Sequence, residues 1–460
     1  MQKSDSFMKL IILIGLLFGF INIYSQEFGL GLLLDDSLYA NSPTAAPLMR
    51  GDYGDLPPSA SLKKNAPTPG NQGLYGTCAG WSTAYAGRTV LEAIRNNWTG
   101  SIVNKNTFSP SFVYNQIRVT KGCDGGTSLV EALDVIRNQG AAKLDDFGHD
   151  CDREVTPLDK VKAFNYRIIE YREVASSRTE DKTKYVKKSL AEGRPVVIAI
   201  DCPPSFSYAG EFWSPKDDEY INWGRGHGIA VVGYDDNRFG GAFELINSWG
   251  TFWGKDGFVW VRYTDFEYFC KYAFEMIDKS LPDPNIPDLS GTLQFRESNG
   301  FDMKVKFNGQ YFSMEKPYYS GTLFDLRISN NEPAYVYAFS TDLTFKTYRI
   351  FPFDDRMVAY LPYRQNNVAI PDEESYNMLD ETPGISYYCF LYSKESLDIK
   401  DIMKKVESSK GSLWQRLKKV LGDKMISNKN IDFESSEVIS FKARSKGKSI
   451  VPILVEINHM

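Results

Sequence analysis

The sequence predicts an α+β protein. A two-lobed domain comes first, helical then β-rich with a cleft between, and a β-rich, sandwich-like C-terminal domain follows. Three observations predict this. Helical periodicity sits early, at 78–95 and 128–139, and strand-like runs follow at 195–201, 229–234, 243–247 and 258–262. The segment Pro-Asp-Pro-Asn-Ile-Pro at 282–287 marks a linker, because proline-rich chain stays extended. Beyond it, apolar runs at 334–339 and 385–392 alternate like strands, and 399–421 reads as one or two helices.

Composition narrows the class. The 460 residues are 42% hydrophobic and 24% charged, which excludes disorder, collagen and a coiled-coil rod for the whole chain. Aromatic content of 14% favours β-rich packing. A formal net charge of -5 supplies no global basic field, so nucleic acid is not an expected partner. Six cysteines are too few for a disulfide scaffold.

The elements follow in order. Residues 1–25 read as a signal peptide: Lys3 and Lys9 precede an apolar run from Leu10 to Tyr24, shorter than the ~20 residues of a membrane span. An exported protein, secreted or periplasmic, is the expectation, with no integral membrane segment in the mature chain. Residues 26–70 are rich in Pro and Gly and read as an extended leader. Residues 71–280 form the first domain, 281–288 the linker and 289–460 the accessory domain. In the helix at 78–95, Ala79, Gly80, Ala84 and Ala86 suggest close neighbours on several faces. Leu129, Ala132, Leu133 and Ile136 make one apolar face of the next helix, Ser128 with Glu131 forms a capping box, and Gly140 can end it.

Chemistry concentrates at few positions. Cys78 follows a Gly-rich loop and opens a helix, where unpaired N–H groups favour thiolate; an ordinary buried cysteine is the plain alternative. Only three histidines exist. His149 lies in a polar loop and His459 is one residue from the chain end, where order is least expected, which leaves His227 in Gly226-His227-Gly228. Asn247 can accept from one imidazole nitrogen and turn the other toward the thiol. Gln72 can donate to a developing oxyanion. Each of these is also readable as an ordinary loop or turn residue.

Together the segments resemble the papain-like cysteine peptidases. The matching pieces are Asn71-Gln72-Gly73 through Cys78, Gly122-Cys123-Asp124-Gly125-Gly126, Gly226-His227-Gly228 with Val231-Val232-Gly233-Tyr234, and Asn247-Ser248-Trp249-Gly250 with Trp253-Gly254 and Gly257. The resemblance implies Cys78 as nucleophile, His227 as its partner, Asn247 as the orienting amide and Trp249 as its shield. It implies an oxyanion hole from Gln72 and the Cys78 N–H, and a cleft lined by Gly125, Gly126 and Gly226. It implies a peptide or protein substrate, hydrolysed through an acyl-enzyme; no cofactor is expected, and no metal, since the sequence has no CxxC or HxxxH spacing.

The sequence also departs from that family. Ala79 stands where Trp usually follows the nucleophile, and the nearest Trp is Trp81. Tyr75 stands where a cysteine usually precedes it, so the partner of Cys123 is open: Cys151 is one candidate, and Cys202 with Cys270 is another possible pair. The long helical propeptide of familiar members has no counterpart in the short leader. Trp213, Tyr220 and Trp223 either shape an apolar pocket or merely pack the loop 203–225.

The accessory region carries no Cys/His cluster. Phe351-Pro352, Ile370-Pro371 and Pro383-Gly384 resemble a bacterial domain of unknown function appended to exported proteins. The basic stretch Lys404–Lys424 reads as an amphipathic helix packed on the sheet rather than a surface-binding one. The region is expected to bind a protein or surface partner, without catalysis. Two other functions stand beside the peptidase: a catalytically inactive peptide- or protein-binding module, and an acyl transferase of the same fold.

Overall fold

The computed structural model describes residues 28–279 and 285–460. The expected signal peptide and part of the expected linker lie outside these residues. Among the described residues no helix is long and apolar enough to cross a membrane.

The first domain is two-lobed, with helices on one side and a sheet on the other. Its central helix covers 78–95 and widens into a π-helical stretch at Trp81–Arg88. Its small residues are there for close packing. A Cβ on Gly80 would stand 2.3 Å from the Pro110 carbonyl oxygen, and one on Gly87 would meet Met276 and Val197. The helix Leu129–Asn138 forms as expected, with both halves of the Ser128–Glu131 capping box made.

The second lobe is a twisted sheet. Its strands are β1 (Ser59–Ser61), β2 (Glu170–Ser176), β3 (Val196–Asp201), β4 (Phe212–Trp213), β5 (Gly226–Asp235), β6 (Ala242–Ile246), β7 (Phe258–Arg262) and β8 (Cys270–Ile277). The order is β2-β8-β3-β5-β6-β7-β4, with β1 pairing β5. All pairs are antiparallel except β4 with β7. The β3 and β5 side chains are buried on both faces, which explains their continuous apolar runs.

The leader does not stand apart from this domain. Residues 59–61 are a strand of its sheet, and Thr44 bridges to Glu173 on one side and Met357 on the other. It carries only short helical turns, such as Asp36–Tyr39.

The C-terminal domain packs two sheets face to face. Leu293, Phe295, Leu326 and Ile328 of one meet Val336, Ala338, Phe390 and Ile453 of the other in one core. Alternate residues of the second sheet, Tyr337, Phe339, Cys389, Leu391 and Leu454, point the opposite way. The helices Ile399–Ser408 and Leu413–Leu421 cover that face through Ile402, Val406, Leu417 and Leu421. Of the one or two helices expected over 399–421 there are two, with a break at 409–412, because Gly411 and the Ser412 cap start a new helix. His459 is neither disordered nor exposed. It closes strand Ile450–His459, with Nδ1 on Ser320 Oγ at 2.9 Å and Nε2 on Ser386 Oγ at 3.0 Å.

A buried polar knot joins the domains. Glu275 on β8 takes the Arg172 Nε at 2.5 Å and the Tyr363 hydroxyl at 2.6 Å, and Arg194 donates to the Pro362 carbonyl at 2.7 Å.

Candidate active site

The loop before Cys78 and the loop after β6 are stitched together. Gln72 N donates to Ser248 O at 2.8 Å, Gly250 N to Gly70 O at 2.8 Å, and Asn71 bridges Trp249. Cys78 is the first residue of the central helix, so its N–H has no intrahelical partner. Gly228 on β5 lets the helix approach: a Cβ there would stand 2.9 Å from Ser82 Oγ and 3.3 Å from the Cys78 carbonyl. His227, beside Gly228, is thereby brought to the start of the helix.

Asn247 follows β6 and meets His227. Its Oδ1 lies 2.8 Å from His227 Nε2 and also accepts the Ser248 N–H at 2.8 Å. An amide oxygen can only accept, so Nε2 carries a proton. In the neutral ring Nδ1 is then the unprotonated nitrogen. Nδ1 is buried and makes no other hydrogen bond. Trp249, fully buried, stacks on the imidazole with centroids 4.6 Å apart and is braced edge-on by Trp253. Water therefore has no path to the His227–Asn247 bond from that side.

Gln72 is held by a residue that sequence reasoning passed over. Ser248 Oγ donates to Gln72 Oε1 at 2.5 Å, which aims the amide nitrogen. That nitrogen donates to Tyr75 O at 2.7 Å and to Gly29 O at 2.9 Å. Gly125 and Gly126 line the opposite wall, where Tyr114 donates its hydroxyl to Gly125 O at 2.6 Å. Among the described residues, no group of three or more His, Cys, Asp or Glu is placed to hold a metal ion.

Electrostatics differ from the expectation for a thiol at a helix start. Burial pushes the Cys78 thiol up to about 11, against the N–H groups of Gly228, Ala79, Cys78 and Gly31 that favour thiolate. Burial also lowers His227 to about 4, against the Asn247 bond that raises it. Both groups are therefore neutral here. Desolvation exceeds the helix-terminal effect because both residues have no exposed surface.

Residues 63–277 match the model of the papain family cysteine proteases. This segment belongs to that family. The chain is 25% identical over 247 residues to the cysteine protease XCP2 of Arabidopsis thaliana, covering 52% of this chain and 65% of that protein. It is 31% identical over 215 residues to a cathepsin L-like peptidase of Aedes aegypti, covering 43% and 56%. The chain thus spans less than two thirds of these relatives' length. Among solved structures, xylellain, a cysteine protease from Xylella fastidiosa, aligns at 19% identity over 55% of this chain and 97% of its own, with a TM-score of 0.46.

The papain-family domain shows how its departures are absorbed. Trp81 takes up space beside the stitched loops: a Cβ on Gly70 would fall 2.1 Å from its ring. Cys123 pairs with Cys151 in a disulfide, while Cys202 and Cys270 are free and buried. Trp213 Nε1 donates to Ser205 Oγ, Tyr220 to Asp265 and Trp223 Nε1 to Glu219 O, so these polar groups are engaged within the lobe. Trp213 and Tyr220 also pack on Phe269.

Proposed function

We propose that the protein is an exported cysteine peptidase that hydrolyses peptide bonds through Cys78, His227 and Asn247. The observation that carries this reading is the His227–Asn247 bond, which leaves Nδ1 as the basic nitrogen at the start of the Cys78 helix.

The chemistry follows from those groups. The Cys78 sulfur bonds to the substrate carbonyl carbon while its proton passes to His227 Nδ1. Negative charge collects on the carbonyl oxygen, where the Cys78 N–H and Gln72 Nε2 receive it; each such donor contributes on the order of 3 kcal/mol. The carbon–nitrogen bond breaks and His227 returns the proton to the leaving amine. Water, deprotonated by His227, then attacks the thioester, releasing the carboxylic acid and the thiol. Asn247 holds the ring in the tautomer that each proton transfer requires. A chain-extended substrate would pair with the backbone at Gly126 and Gly226, whose missing side chains leave room for it. Export rests on the apolar run Leu10 to Tyr24 behind Lys3 and Lys9. The C-terminal sandwich is assigned a binding or positioning role for a protein or surface partner.

The test is cleavage of a mixed peptide library by the purified chain, beside Cys78→Ala, under reducing conditions with mass-spectrometric reading of products. Cleavage lost in Cys78→Ala supports a peptidase. Amide products formed with an added amine, at the expense of acid products, would favour the transferase reading. Peptide bound but never cut would favour the binding module.

A further inference from the structure

A cavity of about 230 Å³ lies where the leader, the first domain and the C-terminal domain meet. Ala45, Pro47 and Leu48 of the leader form one wall, and Val174 with Ala175 of β2 forms a second. Tyr185 and Lys188 of the helix Lys182–Ala191 form a third, and Tyr363 of the C-terminal domain completes it. Cys78, His227, Asn247 and Gln72 do not line it, so it is separate from the site of the proposed reaction.

Positive charge around this cavity is not balanced by the chain. Arg172 is 2% exposed; its Nε donates to Glu275 at 2.5 Å, and its Nη1 is buried without a hydrogen-bond partner. Arg194 Nη2 donates to the Pro362 carbonyl, a neutral acceptor, and its Nη1 is also buried without a partner. The two guanidiniums stand 5.0 and 4.7 Å from the centre of the Tyr363 ring, and the Lys188 ammonium 5.3 Å from it. Lys188 is paired with Glu192. Burial pushes the Glu275 carboxyl up while Arg172 and Arg194 pull it down, so one carboxylate serves both guanidiniums. Glu173 also lines the cavity; burial raises its carboxyl to about 7, against Arg356 and Arg178, so below neutral pH it is mostly uncharged. Burial, with the Tyr363 and Tyr185 hydroxyls, pushes the Tyr53 hydroxyl up while Arg172 pulls it down, which makes the guanidinium and these hydroxyls close neighbours. A buried charged donor without a partner is costly, and an anion that accepts from it removes the cost.

We infer that this cavity binds a small organic carboxylate, its oxygens on Arg172 and the Tyr53 and Tyr185 hydroxyls and its carbon body against Ala45, Pro47, Leu48 and Val174. Arg172 supplies the charge-assisted bond that a carboxylate accepts. The hydroxyls can donate to the second oxygen. The apolar wall favours an anion with carbon attached over a bare inorganic one. The volume falls below the ~300 Å³ at which drug-sized pockets begin, so the ligand is small. Tyr53 and Tyr185 both line the cavity, are half-buried and meet edge-on at 5.1 Å, which puts the entry on their side. Because the walls come from both domains, a bound carboxylate joins them and stabilises the joined form.

The test titrates the full chain with acetate, butyrate and benzoate at pH 6 in a calorimeter. Butyramide, inorganic phosphate and sodium chloride at equal ionic strength run beside them. Saturable binding of a carboxylate, one per chain, is expected, with butyramide at least about 10-fold weaker than butyrate because it carries no charge. Ala45→Leu places extra carbon atoms in the cavity and is expected to weaken binding by at least about 10-fold. Ala45 is half-buried and bonds to Glu173 O through its backbone N–H alone, so the fold should persist, which an unchanged Tm checks. Arg172→Gln with Glu275→Gln removes both members of the ion pair, leaves neither charge buried alone, and is expected to weaken binding in the same way. No saturable binding by any of the three carboxylates, butyramide binding as well as butyrate, or binding unchanged in Ala45→Leu would overturn the inference. Phosphate binding as tightly as the best carboxylate would overturn the assignment to an organic anion.

Discussion

Asn247→Ala removes one acceptor that serves two buried donors. Asn247 Oδ1 lies 2.8 Å from both His227 Nε2 and Ser248 N, and all three residues are buried. A hydrogen bond to a charged group contributes about 1.5–3 kcal/mol, and His227 becomes charged when it takes the Cys78 proton. Losing that bond predicts a fall in kcat/KM of about 10- to 150-fold. The Ser248 N–H loses its acceptor too, so the variant should also be less stable by about 1–3 kcal/mol. The Asn247 bond raises the His227 pKa, so its removal lowers it and makes the imidazolium harder to form. The assay is peptide hydrolysis by the purified chain across pH 5–9, with thermal unfolding alongside. A rate within about 3-fold of the parent, with an unchanged pH profile, would refute the argument that this bond positions the ring.

Three further outcomes are expected. Glu275→Leu leaves Arg172 buried without its partner and should cost about 3–5 kcal/mol in denaturant unfolding. Burial pushes the Glu275 carboxyl up, but Arg172, Arg194 and the Tyr363 hydroxyl together outweigh it and hold it below its usual range, so that stabilisation should be complete above about pH 4.3 and fade as pH falls through the depressed value; stability of the parent rising on acidification would speak against it. Replacing Cys123 and Cys151 by serine opens a loop with separation 28 and should lower stability by about 3–4 kcal/mol, read as a drop in Tm that reducing agent reproduces in the parent. Gly80→Ala drives a methyl toward the Pro110 carbonyl, a backbone atom that cannot swing away, and should cost about 1–3 kcal/mol in the same unfolding measurement.

The parts legible in the sequence were those whose signal is local. The Ser128–Glu131 box, the apolar face of 129–138 and the β5 run all declare themselves within ten or so residues of chain. The meeting of His227 with Asn247 was legible through their two motifs and the resemblance those carry; in the fold His227 lies at the start of β5 and Asn247 just past the end of β6, its antiparallel neighbour. The leader was not legible in this way. Gly29, Gly31 and Leu32 take their conformation from Gly76, Thr127 and Gly226, far along the chain, and the segment has too few residues to display a period of its own. Ser248 escaped notice because a lone serine beside a turn asparagine reads as turn chemistry, and only the fold shows it reaching Gln72. The neutral state of Cys78 and His227 also escaped, since burial by a distant segment reverses what the helix start alone would do. His459 was misjudged from its place at the end of the chain, where two serine hydroxyls and a ten-residue strand hold it.

The strap between residues 43 and 61 has a mechanical consequence. It leaves the seam between the domains hydrogen-bonded to Glu173, Arg356 and Asn367 before entering the first sheet as β1. The two domains are therefore spliced twice, once by the chain at 278–288 and once by this strap, with the Arg172–Glu275–Tyr363 knot as a rivet. Severing the connection at 278–288 alone would leave a nicked particle that still sediments as one body, and the sandwich would come away only after the strap had been peeled from it.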